Sequence, residues 1–212
     1  MNNLATQPSQ AAVSTERHPV KMRGLKDYRQ ILLNAAARLF AQEGFHAVGI
    51  DRILAEAGVA KMTLYNYFPS KVELTIAVLE ERRELCANSL ALFIQKYETP
   101  LERLHAVFMW YDRWFHSPQF TGCIFAAAAA EFHGSENSII PIATSQKKDL
   151  TNLIKELLVP LAGKTIATQL GRDVVMLLDG AILAAHVAGR KNAAKEAWRV
   201  AQEIVRMELS TA

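Results

Sequence analysis

The chain has 212 residues, half of them hydrophobic and 21% charged, with a formal net charge of +3. That balance excludes a disordered or collagen-like polymer and is enough for one large or two small cores. Two cysteines, Cys86 and Cys123, exclude a disulfide scaffold, and no apolar run reaches the roughly 18 residues of a membrane span, so no membrane partner is expected.

The charge is uneven along the chain. Residues 1–71 hold nine Lys/Arg against five Asp/Glu, a balance of +4, while residues 72–212 hold 15 against 16. A basic front on a near-neutral rear suggests an anion-facing module on a carrier of different function.

Residues 1–22 open with Ala, Gln, Ser and Thr around Pro8 and Pro19, which predicts a flexible arm. They lack the basic start and apolar stretch of a secretory signal, so the expected location is cytoplasmic. From Leu25 to about Gln42, Ile31, Leu32, Ala35, Leu39 and Phe40 recur at helical spacing, with Gly44 placed to end the helix. Ile50, Ile53, Leu54 and Ala57 give a second helix, Gly58 breaks it, and Leu64 with Phe68 restart a short third one. Ser70 and Glu73 have the spacing of a capping box for a long helix toward Tyr97. Pro100 opens the next helix, to about His116.

The rear continues as helices over Gly122–Phe132, Ile139–Leu158, Thr165–Ala188 and Asn192–Glu208. No alternating strand pattern interrupts them. The expected fold is all-α with about nine helices: a three-helix front over residues 23–70 and a helical rear over 71–212.

Gly44–Lys71 is the most specific stretch. Two short helices joined by Ala-Gly-Val form a helix-turn-helix, which presents its second helix to a DNA major groove. At 100° per residue, with Leu64 and Phe68 inward, Met62, Thr63, Tyr65 and Asn66 face outward. Amide, hydroxyl and phenol groups read base edges or bind phosphate, and a Met thioether lies against a thymine methyl. Lys61 and Lys71 bracket this helix as phosphate partners. A Tyr-x-Tyr-Phe run is more often core packing, but here Leu64 and Phe68 already supply the core face. Tyr67 lies between the two faces.

The run AGVAKMTLYNYFPSKVEL resembles the turn and recognition segment AGVSKGTLYHYFxSKEEL of the TetR family of transcriptional regulators. The resemblance extends back through Phe40-Ala-Gln-Glu-Gly-Phe45 and covers roughly Tyr28–Leu74. It implies a three-helix DNA-binding domain, a C-terminal ligand-binding and dimerisation domain, and release from operator DNA when a small molecule binds. It places Lys61, Thr63, Tyr65, Asn66, Tyr67 and Lys71 at DNA-contacting positions, with Thr63 and Tyr65 as base readers and Tyr67 and Lys71 on phosphates. The chain departs from the family at Val48 and Ala60, which stand where hydroxyl residues are common, and at Met62, which stands where Gly is common.

In the rear, Val174–Ala188 is apolar on every side except Asp179 and His186, which predicts burial against its own domain on one face and a second subunit on another. Ala194, Ala197, Trp198, Ala201 and Val205 form a small-residue stripe expected to join the same two-fold interface. The aromatics Trp110, Trp114, Phe125 and Phe132, with Met176 and Asp179, are the expected lining of an effector pocket. His105, His116, Glu131, His133 and His186 are further candidate polar handles. Asp179 and His186 lie too far apart along their helix for a direct pair and are expected at the pocket floor or the dimer interface. Cys123 is more often an inert small hydrophobe than a redox trigger.

There is no phosphate-cradling glycine loop, nucleophile elbow, His-Glu-x-x-His or Cys-x-x-Cys. No catalytic residue, metal site or cofactor is therefore expected. The expected partners are double-stranded operator DNA, a small, largely apolar effector and a second copy of the chain. The competing expectation is a helical protein-interaction module, and the salt dependence of binding separates the two.

Overall fold

The computed structural model describes residues 27–132 and 138–211, so the expected arm and His133 lie outside the described residues. Eight helices and no strand are assigned there: α1 (Tyr28–Glu43), α2 (Ile50–Ala57), α3 (Lys61–Tyr67), α4 (Lys71–Ile94), α5 (Pro100–Phe115), α6 (Ile124–Glu131), α7 (Ile140–Val187) and α8 (Ala193–Thr211). α7 is two helices fused end to end, because Gly163 breaks the helical backbone at φ 71°, ψ 169° just after Pro160. Counted separately, its arms bring the number among the described residues to the expected nine.

Local chemistry sets most boundaries. The Asp27 side chain accepts the Gln30 N–H at 3.1 Å to start α1, and Ser70 Oγ accepts the Glu73 N–H at 3.1 Å to start α4. A complete capping box starts α5: Thr99 Oγ1 accepts from Glu102 N–H, and Glu102 Oε2 accepts from Thr99 N–H at 2.9 Å. These bonds hold the Glu102 carboxyl below the usual carboxylate range. α2 and α3 begin on Gly49 and Ala60 with no side-chain cap, the local consequence of the missing hydroxyls.

Two apolar cores result. The rear core joins the end of α4 (Leu90, Phe93, Ile94) to α5, α7 and α8. The front core holds Leu32, Leu39, Phe40, Phe45, Ile53, Leu64 and Phe68, with Leu74, Val78 and Leu79 from the start of α4. It is closed by residues far away in sequence: Phe125, Ala128 and Phe132 of the α6 region and Ile139, Ile142 and Ala143 at the start of α7.

One expectation is corrected. Ala194, Ala197, Ala201 and Val205 are buried within this chain, against α5 and α7, and do not offer a surface to a partner. Small residues allow close helix approach, and the neighbouring helices of the same chain have already used that approach.

Gly163 occupies backbone space that L side chains rarely adopt, yet a Cβ there would meet nothing within 4 Å. Gly163→Ala should therefore cost about 1–3 kcal/mol through backbone strain alone. Thermal unfolding checks this: the midpoint should fall by roughly 2–4 °C for each kcal/mol lost.

Candidate functional site

α3 has one buried and one open side, as the spacing predicts. Leu64 is fully buried and Phe68 nearly so, while Met62, the most exposed large apolar residue of the segment at 72%, stands out with Tyr65, Asn66 and Tyr67. Thr63 is half-buried between the faces. Tyr67, ambiguous by angle, is exposed, with its ring 6.5 Å from that of Phe68. The turn before α3 passes through Gly58 in the left-handed conformation, φ 63°, ψ 38°.

The charges around α3 are largely paired. Lys61 Nζ lies 3.5 Å from Asp51, and Lys71 Nζ donates to the His46 carbonyl at 3.5 Å. Arg52 bridges Glu56 at 3.0 Å and Glu43 at 3.2 Å, and these bonds, led by Glu56, raise the affinity of its guanidinium for its proton. Arg38 also pairs with Glu56. Such exposed pairs contribute little to stability, and polyanion contacts readily replace them. Four of the nine front bases, Arg17, Lys21, Arg23 and Lys26, lie outside the described residues.

Behind the front lies a cavity of about 810 Å³, a size that suits a drug-like ligand. Ala37, Arg38, Ala41 and Gln42 of α1 line it together with Trp110, Trp114 and Phe125. A smaller cavity of about 420 Å³ adjoins it, sharing Thr121, Gly122, Cys123, Lys147 and Ile182 and adding Asp179 and His186. Lys147 forms an ion pair with Asp179. His186 faces the edge of Phe120, with ring centroids 6.1 Å apart.

Two expected lining residues are elsewhere. Phe132 is buried in the front core, 5.5 Å from the Phe45 ring and 4.7 Å from the His46 ring. Met176 is 69% exposed on the outer side of α7 and lines neither cavity, because the inward positions of that arm go to Val174, Val175 and Leu178. His105 stacks on Trp198 at 4.5 Å, and burial makes it harder to protonate. His116 Nδ1 lies 2.8 Å from the Asp112 carbonyl. Cys86 also lines the larger cavity, and burial pushes its thiol pKa up, which disfavours the reactive thiolate.

Sequence reasoning proposed Glu131 only as a polar handle and missed the contact it makes. Its carboxylate accepts the backbone N–H of Phe45 at 3.0 Å and of His46 at 2.7 Å, and its carbonyl lies 2.8 Å from His46 Nε2. These bonds tie α6 to the turn between α1 and α2. Gly44 allows the approach: its φ is 87°, and a Cβ there would stand 3.1 Å from Glu131 Oε1. One sequence signal was present, since an acid ending an alanine helix opposes the helix dipole and so needs a donor elsewhere.

A short outward helix on a helix-turn-helix, carried by an all-helical body, defines a DNA-binding protein of the regulator class. Residues 32–78 match the family model described as bacterial regulatory proteins, tetR family. The HTH-type transcriptional activator FasR of Mycolicibacterium smegmatis is 37% identical over 75 residues, 35% of this chain and 34% of that protein. The HTH-type transcriptional regulator RutR of Escherichia coli K12 is 35% identical over 89 residues, 42% of this chain and 41% of that protein. The match thus spans well under half the length of these relatives. Among solved structures, SCO4454, a TetR-family transcriptional regulator from Streptomyces coelicolor, aligns with a TM-score of 0.80 at 28% identity over 86% of this chain and 96% of its own. The reduced form of E. coli NemR shares the fold, with a TM-score of 0.75 at 21% identity over 84% of this chain and 96% of its own. Residues 32–78 thus carry a domain of the tetR family of bacterial regulatory proteins, and the chain shares its fold with a TetR-family regulator over most of its length.

Glu131→Ala leaves two backbone donors unpaired at the joint and should cost about 1–3 kcal/mol. Hydrogen exchange at the Phe45 and His46 amides should accelerate selectively in this variant, and unchanged protection would show that the carboxylate does not hold the turn.

Proposed function

We propose that the protein is a homodimeric, ligand-responsive repressor. Residues 23–70 bind operator DNA, residues 71–212 hold the effector and the partner subunit, and a small molecule with a largely apolar body releases the DNA. The observation that carries this reading is the split of α3, with Leu64 and Phe68 buried and Met62, Tyr65, Asn66 and Tyr67 exposed. The core does not account for that second set of side chains. Thr63 and Tyr65 read bases, Met62 and Asn66 meet the groove, and Lys61, Tyr67 and Lys71 hold phosphates.

A recognition helix alone reads half a site, so the reading includes a dimer. A surface suited to one is present: Met176, Leu183 and Val187 are 69%, 62% and 73% exposed, and with Gly180 they fall within roughly 60° of one another around α7. Val200 and Met207 of α8 are exposed as well. No helix among the described residues is long and apolar enough to cross a membrane, and the proposed location is the cytoplasm.

The release step follows from shared parts. α4 contributes Leu74 and Val78 to the front core and Phe93 and Ile94 to the rear one. α6 lines the cavity through Phe125 and holds the front turn through Glu131. A ligand favouring a displaced α6 or α1 would change the spacing of the two recognition helices.

The test is a footprint on the DNA flanking the protein's own gene, with a transcriptional reporter giving the sign of regulation. A palindromic footprint and a steep loss of affinity between low and moderate salt are expected, whereas salt-insensitive binding would favour the protein-interaction reading. Tyr65→Ala should weaken operator binding by tenfold or more, roughly 1.4 kcal/mol, with little change in thermal stability, because Tyr65 is exposed. Leu183→Glu should shift sedimentation from dimer to monomer at micromolar concentration, and a persistent dimer would place the interface elsewhere.

A further inference from the structure

We propose that the larger cavity takes a planar aromatic monoanion, such as an aromatic carboxylate, inserted between α1 and the rear domain. This rests on the ligand-responsive reading above and sharpens the effector from largely apolar to amphipathic. Three cationic side chains, Arg38, Arg82 and Lys147, are among the cavity's lining residues, and none of the described lining residues is Asp or Glu. Arg38 is paired with Glu56 and Lys147 with Asp179. No described carboxylate pairs with Arg82, which is exposed. Among the described residues one positive charge therefore remains uncompensated, which matches a single negative charge on the ligand.

The aromatic lining sets the shape. Trp110 and Trp114 stand with ring centroids 6.3 Å apart, and Phe125 lines the same space. The Trp110 indole N–H already donates to Ser89 Oγ at 3.1 Å, so it is the ring that remains available for contact and favours a flat apolar body. Gln146 Oε1 is buried with no hydrogen-bond partner among the described residues, and Gln146 lines the cavity. A buried acceptor left unpaired is costly, so a hydroxyl or N–H on the ligand would add affinity there. The guanidinium fork of Arg82 would hold the carboxylate.

The test uses the full-length protein and two probes of similar shape, 2-naphthoate and the uncharged 2-acetonaphthone, titrated by calorimetry at pH 7.5, where the carboxylate is ionised. Binding of 2-naphthoate at least about tenfold tighter than the ketone is expected, as one charge-assisted hydrogen bond would provide. Arg82→Gln should remove most of that preference while leaving the ketone unchanged, and Arg82→Lys should restore part of it. Equal affinity for the two probes, binding of neither, or a preference that survives Arg82→Gln would overturn the proposal. A gel-shift titration separates its failure from that of the regulator reading. If 2-naphthoate binds with the expected preference but leaves operator binding unchanged, the ligand class stands and the effector role of the cavity falls.

Discussion

The front core cannot close by itself, and the rest of the structure depends on how it is closed. α1, α2 and α3 have 16, 8 and 7 residues, and the two short helices lack side-chain caps. Three helices of that size enclose too little apolar area for a stable independent core. The missing wall comes from Phe125, Ala128 and Phe132 and from the first turn of α7. Phe45 packs between Phe40 at 4.9 Å and Phe132 at 5.5 Å, so one aromatic contact chain crosses from the front into α6. A helix-turn-helix stabilised this way cannot be positioned independently of the cavity behind it.

The legible part of this arrangement was the part that obeys a local period. Helix existence and order, the Gly58 turn, the Ser70 cap and the two faces of α3 follow from spacing and capping chemistry within a few residues. The interruption between Leu158 and Thr165 was also expected, and the structure gives its cause in Pro160 and the non-helical Gly163. The closing wall was not, because Glu131 and Phe45 are 86 residues apart and neither shows in its own neighbourhood which group it meets. Burial by a second copy and burial within one copy also look alike in a sequence. The Ala194–Val205 stripe was misassigned for that reason, whereas the exposed face of α7 suits the expectation drawn from its all-round apolarity.

Charge was the weaker guide. The excess of bases in residues 1–71 suggested an anion-facing front, yet Arg38 and Arg52 are engaged with Glu43 and Glu56. Placement carries more information than the total. Lys61 and Lys71 flank α3, whereas Arg82, counted in the near-neutral rear, lines a cavity whose described lining includes no acid.

The energy that one ligand can supply constrains how such a cavity works. Burying a ring the size of an aromatic side chain removes about 150–250 Å² from water, roughly 4–6 kcal/mol. Moving a two-state equilibrium from 99:1 to 1:99 requires about 5.5 kcal/mol of difference between the states. One aromatic ligand therefore has just enough energy, and only if almost none of its contact survives in the DNA-binding state. A pocket wholly inside the rear domain would keep most of its walls in both states. A cavity with one wall formed by Ala37, Arg38, Ala41 and Gln42 of α1 would lose that wall if the front moved, and in the proposed mechanism ligand affinity and the position of the recognition helix would then be two readings of one displacement.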